Sequence, residues 1–293
     1  MSLNKPVWNL KSWIKKENLD WSQISKNPKA IELLKENPHK IDWYNLSRNP
    51  NAIELLEENR DKINWSLLSL NSNASKLLAE NLDKVNWSLL CINPGTIEIL
   101  KQNPDKINWY YLSKNPAAIE LLKNEPTKIN WCSLSINKNI NEILIDKEKI
   151  NWNILSSNSS AINLIKNEPD KINWNYLSSN PAAIDLIKTN VSKINWYYLS
   201  LNSNAIELLE ANQDKIDWYN LSSNQNAIKI LEENRDKINW YVLSENPAIF
   251  ELDYEAMRKN NQDLYEELIK EVMKPSRVFK NPDYDYIEEL FGD

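Results

Sequence analysis

The sequence is poor in residues on which several protein classes depend. Its 293 residues include only 2 glycines, 2 cysteines and 1 histidine. So little glycine argues against the tight turns of hairpin-rich β proteins, and two isolated cysteines supply neither a disulfide framework nor the paired spacing of a zinc site. The apolar runs are too short to cross a bilayer, and none follows the first residues as a secretory signal requires. These features predict a helical, soluble and intracellular protein.

The charge is balanced along most of the chain. The net charge is −6, and residues 250–293 alone hold 12 acidic and 6 basic residues, so residues 1–249 are neutral. A neutral body has no basic footprint for a phosphate backbone and no strong attraction to a membrane surface. We therefore expect nucleic acid and membranes to be poor partners.

Tryptophan, by contrast, is abundant and regularly spaced. Eleven of the 13 tryptophans recur at intervals of 22 residues, with a single interval of 21 residues. A fixed period in this range is typical of a solenoid or array. The units, numbered 1 to 11, begin at Trp21, Trp43, Trp65, Trp87, Trp109, Trp131, Trp152, Trp174, Trp196, Trp218 and Trp240.

Each unit carries signals for two short helices. Asn or Asp precedes every one of these tryptophans, which predicts an N-cap and a helix A that begins at the Trp. An Asn follows six residues after each Trp, with Pro next in six units, which predicts the cap and first position of a helix B. Helical phase buries the Trp and, in most units, a Leu and a Ser from helix A, and leaves a charged strip of helix B in solvent. Capping alone explains the repeated Asn without a ligand.

The pattern predicts an all-α fold, an α-solenoid of about eleven two-helix (helix-turn-helix) repeats with N- and C-terminal caps. The expected organisation is an N-terminal cap at 1–20, a repeat array of 22-residue units at 21–249, and a C-terminal helical cap with an acidic tail at 250–293. We expect an elongated body on the order of 100 Å long, with helix A on its inner side. Unit 6 lacks one residue and both prolines, which predicts a local bend.

The residues needed for chemistry are single or repeated in register. His39 stands in a link between units, where we expect it to face solvent. The sequence contains no HExxH pair, no paired-cysteine zinc spacing and no glycine-rich phosphate loop. A lysine three residues before Trp recurs in ten units and is interpreted as a solvated edge. We therefore expect no enzymatic activity, no cofactor and no metal.

Helix A also carries positions that vary between units, and many hold tyrosine. Tyrosine provides a large, stiff contact area with a polar tip, which suits recognition surfaces. The tyrosines either pack between neighbouring short helices or form a partner-binding face. The candidate partner-binding residues are Tyr44, Tyr110, Tyr111, Tyr176, Tyr197, Tyr198, Tyr219 and Tyr241.

Units such as INWYYLSKNPAAIELLKNEPTK, together with the terminal strings IFELDYEAMR and MKPSRVFKNPDYDYIEELF, carry a resemblance that covers nearly the whole chain. The sequence resembles the Trp-containing repeat proteins of about 22 residues per unit that amoeba-infecting giant DNA viruses encode in many copies. The resemblance implies an interaction scaffold located in the host cytoplasm or the viral factory. It transfers no functional residues, because that family is mostly uncharacterised.

The sequence thus predicts a non-enzymatic protein–protein interaction scaffold that binds an unidentified host or viral protein through its extended surface or its acidic tail. Two alternatives stay open. One is a single-stranded nucleic-acid-binding repeat protein, in which tyrosines stack on bases and the lysine row meets phosphates. The other is a structural or self-assembling viral component joined through its end caps.

Overall fold

A computed structural model describes residues 6–143 and 148–274 of the chain. The chain divides into two compact parts. The larger part, Leu10–Phe250, is the repeat body, and the other part comprises the terminal segments. The body is built from short helices in a repeated pattern, with little strand. The predicted all-α solenoid of about eleven two-helix repeats is therefore confirmed.

Helix A begins at the predicted Trp in all eleven units because the preceding residue caps it. In unit 5, Asn108 has an extended backbone, and its side-chain oxygen accepts a hydrogen bond from the backbone N–H of Tyr111. The same bond recurs at every unit, as N-cap chemistry requires. The A helices span Trp21–Lys26, Trp43–Leu46, Trp65–Leu68, Trp87–Ile92, Trp109–Leu112, Trp131–Leu134, Trp152–Leu155, Trp174–Ser178, Trp196–Leu199, Trp218–Ser223 and Trp240–Glu245.

Helix B begins three residues later than the proline signal suggests. In unit 5, Asn115 caps a 3-10 turn, Pro116–Ala118, which leads directly into the helix Ile119–Asn124. Most links between units also form a single 3-10 turn, such as Pro104–Lys106. The B helices span Ile31–Glu36, Ile53–Glu57, Ser75–Ala79, Ile97–Gln102, Ile119–Asn124, Ile162–Lys166, Ile184–Lys188, Ile206–Glu210 and Ile228–Glu233.

Neighbouring units are joined by buried polar side chains that repeat at each interface. Nδ2 of Asn115 donates to the carbonyl oxygens of Cys91 and Asn93 in the preceding unit, at 2.9 and 3.0 Å. Oγ of Ser113 accepts from the backbone N–H of Asn130, which caps helix A of the following unit, and donates to the carbonyl oxygen of Trp109. We call the asparagines six residues after each Trp the ladder asparagines. Each uses both ends of its amide, since Oδ1 caps its own unit while Nδ2 binds the unit before.

The first unit stacks on the last through these same bonds, so the repeat body is a closed array. Nδ2 of Asn27 donates to the carbonyl oxygens of Ser244 and Asn246, both at 3.1 Å, and the backbone N–H of Asp20 donates to Oγ of Ser244 at 2.9 Å. Eleven units therefore share eleven interfaces. The expected elongated array with two ends is wrong, because the small turn between successive units accumulates until the last unit meets the first.

The core of the repeat body is a column of leucines and not the column of tryptophans. The residue three after each Trp, which is Ile24 in unit 1 and a leucine such as Leu112 in the other ten units, is fully buried, as are Ala118 of the 3-10 turn and Leu122 of helix B. The eleven repeat tryptophans are only partly buried. Expecting full burial of the Trp was wrong, because its ring is too large for the space between two short helices and extends to the edge of the interface.

The residue that unit 6 lacks falls outside its interface with unit 7. Asn158 of unit 7 donates to Ser135 and Asn137 of unit 6 at 3.0 and 2.9 Å, as in complete units. The difference falls between Asn137 and Asn151, where a 3-10 turn, Ile140–Glu142, precedes residues 144–147, which lie outside the described ranges. The ladder is thus continuous through unit 6, and the expected local bend stays a prediction.

The described part of the terminal segments, residues 6–10 and 250–274, contains two strands and one long helix. The strands Trp8–Leu10 and Phe250–Leu252 form a two-stranded sheet, and the second strand follows the 3-10 turn Pro247–Ile249 of unit 11. The helix expected after residue 250 spans Tyr254–Val272, and the side chain of Asp253 caps it. The acidic tail predicted at the end of 250–293 lies, from residue 275 onwards, outside the described residues.

Candidate partner-binding surface

Six of the eight candidate tyrosines are exposed, and the other two are half-buried. The exposed fractions are 59% for Tyr44, 48% for Tyr110, 37% for Tyr176, 51% for Tyr197, 55% for Tyr219 and 53% for Tyr241. Tyr111 and Tyr198 are half-buried, and each contacts the tyrosine before it edge-on, with ring centroids 5.1 and 5.3 Å apart. In units 5 and 9, which carry tyrosine at both positions, the residue directly after Trp thus faces solvent, and the next one packs against it edge-on.

Consecutive units bring tyrosines together on one side of the array. Units 9, 10 and 11 each carry an exposed tyrosine directly after the Trp, namely Tyr197, Tyr219 and Tyr241. Tyr176 of unit 8 joins them through Tyr198, with ring centroids 5.5 Å apart. We call these five residues the tyrosine stripe. Tyr44 and Tyr110 stand apart from it, because the units on either side of them carry serine or cysteine at this position.

The helices that carry the stripe are held in register and carry almost no charge. Nδ2 of Asn220 donates to the carbonyl oxygen of Tyr197 at 3.0 Å, which ties unit 10 to unit 9 beside the ladder. The A-helix stretches 174–179, 196–201 and 218–223 contain no ionisable acid or base except tyrosine. The stripe is therefore a stiff, neutral aromatic surface.

An open cavity of about 400 Å³ lies where units 10, 11 and 1 meet. Pro28, Val242 and Pro247 supply apolar wall, and Ser223 supplies a hydroxyl. Lys26 and Glu245 also line it, and their charged groups pair across the closing junction at 3.6 Å. Because Ser223 and Glu245 each lie one helical turn after a stripe tyrosine, the cavity continues the stripe.

The repeated lysines cover the tryptophans. In nine of the ten, Nζ lies 4.4–5.7 Å from the ring centroid of the Trp that begins the same unit, which is a cation–π contact. At the closing junction Trp13 contacts Trp240 instead, with ring centroids 6.3 Å apart. The lysine row thus serves the interfaces, and its ammonium groups already have aromatic neighbours.

The remaining reactive residues do not converge. His39 is exposed in its link, and Cys132 is exposed as well, whereas Cys91 is buried in the place that serine holds in other units. Burial raises the pKa of the Cys91 thiol. Across residues 6–143 and 148–274, no group of three or more His, Cys, Asp or Glu side chains could hold a metal ion.

Replacing Cys91 by serine is expected to stabilise the protein by about 0.5–1 kcal/mol. Sγ of Cys91 accepts a backbone N–H from Asn108 at 3.3 Å, and the serine hydroxyls elsewhere accept the equivalent bond at 2.9–3.0 Å. Serine also restores a donor for the carbonyl oxygen of Trp87, as Ser113 does for Trp109. Urea denaturation measures the change, with Cys132→Ser as the exposed control that leaves stability unchanged. A loss of stability in Cys91→Ser would contradict this account of the interface.

Sequence reasoning found the tyrosines but not their grouping. The closing contact that makes units 10, 11 and 1 neighbours has no local motif, and so the cavity there was missed. The available clue was Trp13, which lies off the 22-residue period and is only 8% exposed where it contacts Trp240.

None of the helices in the described ranges combines the length and the apolar character needed to cross a bilayer. Comparison of the chain with protein-family models, with characterised proteins and with solved structures finds no match.

Proposed function

We propose that this protein is a non-enzymatic scaffold that binds another protein through the tyrosine stripe. The observation that carries the proposal is the run of three tyrosines on consecutive units, 51%, 55% and 53% exposed. Tyrosine loses little rotamer entropy on binding and is enriched among the residues that dominate interface energies. The array beneath it is rigid, because each unit is bonded to both neighbours, and so a partner meets a preformed surface.

Two observations favour a protein partner over the alternatives. The lysine ammonium groups lie over tryptophan rings and the stripe helices carry no basic residue, so phosphates would find little positive charge there. End-to-end assembly needs free stacking faces, and closure uses both of them. We further propose, from the residue pattern alone, that the chain belongs to the giant-virus Trp-repeat proteins and acts in the host cytoplasm or viral factory on a host or viral protein.

Removing the stripe is expected to remove partner binding. Affinity capture from infected cells should recover at least about tenfold less partner with the variant Tyr197→Ala, Tyr219→Ala, Tyr241→Ala than with the unaltered protein. Each of these tyrosines is an aromatic anchor that becomes buried in the complex and contributes roughly 1–2 kcal/mol or more. All three side chains are about half exposed in the free protein, so we expect the fold to survive, and circular dichroism checks it.

The control is Tyr44→Ala, Tyr110→Ala, which removes equally exposed tyrosines outside the stripe and should leave capture unchanged. If the triple variant captured the same partners as the unaltered protein, the stripe would not be the binding surface.

A further inference from the structure

We propose that the tyrosine stripe binds an extended, uncharged, proline-rich segment of its partner in the polyproline II conformation. The inference rests on the proposed function and adds the chemical class of the ligand. Its basis is the combination of spacing, charge and hydrogen-bonding capacity along units 8 to 11 and the cavity that follows them.

At the usual separation of packed helices, the spacing expected for the tyrosines corresponds to the repeat of a polyproline II helix. Helices packed side by side lie about 8–10 Å apart, and Tyr197, Tyr219 and Tyr241 occupy the same position in three successive A helices. A polyproline II helix has three residues per turn and rises about 3.1 Å per residue, or about 9.3 Å per turn. One face of such a segment therefore presents a proline ring to each tyrosine in turn, whereas an α-helix rises only about 5.4 Å per turn.

The neutrality of the stripe selects against charged ligands. The three central A-helix stretches, 174–179, 196–201 and 218–223, carry no acidic or basic side chain. At the far end, the carboxylate of Glu245 is paired with the ammonium of Lys26, so the closing junction adds little net charge. The stripe helices themselves offer a charged segment no ion pair, and Lys215 and Lys237 in the adjoining links already face the rings of Trp196 and Trp218. A proline-rich segment has no charge to desolvate.

The side chains supply both contacts that such a segment requires. A flat tyrosine ring stacks against a proline ring, and this contact costs little entropy because both groups are stiff. The polyproline II backbone makes no internal hydrogen bonds, so its carbonyl oxygens are free to accept from tyrosine hydroxyls. Aromatic grooves recognise proline-rich segments in this way on unrelated folds.

The cavity at the closing junction borders the site. Its lining residues Ser223 and Glu245 lie one helical turn after Tyr219 and Tyr241, so the cavity opens beside these two tyrosines, and Pro28, Val242 and Pro247 form its apolar wall. A volume of about 400 Å³ accommodates one or two large side chains that project from the bound segment. Closure of the array is therefore part of the site, because unit 1 contributes Lys26 and Pro28.

The test uses the full chain and two synthetic peptides with blocked ends, a nine-residue oligoproline and a nine-residue Gly-Ser peptide. By calorimetry or amide NMR shifts, we expect the oligoproline to bind and the Gly-Ser peptide not to bind. Tyr219→Ala should weaken oligoproline binding at least about tenfold. Tyr44→Ala is the matched control, since both tyrosines stand in the local sequence DWYNLS at 55% and 59% exposure, and only Tyr219 has tyrosines at the same position in both neighbouring units.

The outcomes separate this inference from the proposed function. Oligoproline binding that depends on Tyr219 and not on Tyr44 supports the inference. Equal affinity for the two peptides, equal effects of the two substitutions, or no binding overturns it. If partner capture from cells still depends on the stripe while the oligoproline does not bind, the scaffold function stands and the ligand class is wrong. If capture is independent of the stripe, the proposed function fails too.

Discussion

Replacing Asn27 by alanine is expected to lower the free energy of unfolding by about 3 kcal/mol, as much as replacing Asn115. Both are buried ladder asparagines, whose Nδ2 donates to two carbonyl oxygens of the neighbouring unit and whose Oδ1 accepts a backbone N–H. Three lost hydrogen bonds, with buried backbone groups left unpaired, correspond to roughly 1 kcal/mol each. Chemical denaturation of the two variants measures the difference.

The comparison tests closure, because the two residues differ only in which interface they hold. Asn115 joins units 4 and 5, whereas Asn27 joins units 11 and 1. In an open array, Nδ2 of Asn27 would face water, and Asn27→Ala would cost only the cap, about 1 kcal/mol. A loss that small beside a full loss in Asn115→Ala would show that the junction is open in solution.

Asn51→Ala is the control, because it removes an amide side chain that joins two units at an exposed position. Nδ2 of Asn51 also reaches the preceding unit, at the carbonyl oxygen of Pro28, 2.8 Å away, but the contact is exposed to solvent. Water can replace it, so we expect a loss of less than about 0.5 kcal/mol. A loss as large as that of the ladder variants would mean that burial is not what makes the ladder strong.

The local structure could be predicted from the sequence because each signal acts within a few residues. The Asn or Asp before Trp can satisfy the free amides of a helix that starts there, and no distant residue is needed. Asn115 was correctly read as a cap. That interpretation used only its acceptor, and the two donor bonds of Nδ2 were missed because they depend on the position of the preceding unit.

Closure could not be predicted because no single residue encodes it. It depends on the angle between successive units, and an error of a few degrees per unit, summed over eleven units, separates a ring from an open superhelix. The interface between units 11 and 1 uses the same residue types as the other interfaces, so the sequence there looks ordinary. The sequence identified Tyr197, Tyr219 and Tyr241 singly, but their grouping into one surface depends on how the units pack, and the neighbouring cavity depends on closure.

The burial of the tryptophans was misjudged because helical phase gives a direction and not a depth. Helical phase turns Trp109 inward, but Lys128, in the link to the next unit, lies over its ring, with Nζ 4.9 Å from the centroid. A lysine ammonium group can contact an aromatic ring and keep its contact with water only if the ring lies at the protein surface. The lysine row and the tryptophan column are therefore one feature, which the sequence shows as two separate periodic residues.

Replacing Leu112 by alanine is expected to cost about 3 kcal/mol, among the largest losses from any single substitution in the repeat body. Leu112 is fully buried between helices A and B of unit 5 and the adjoining units, so its removal loses apolar burial and leaves a cavity, within the usual range of about 2–5 kcal/mol. Leu121 of helix B is the matched control, since it is half-buried and Leu121→Ala should cost about 1 kcal/mol. Urea denaturation followed by circular dichroism measures both losses.

In a closed array each unit has two neighbours and no unit is free to fray, so we expect a single transition in both variants. Equal losses for the two leucines would show that the leucine column is not the core.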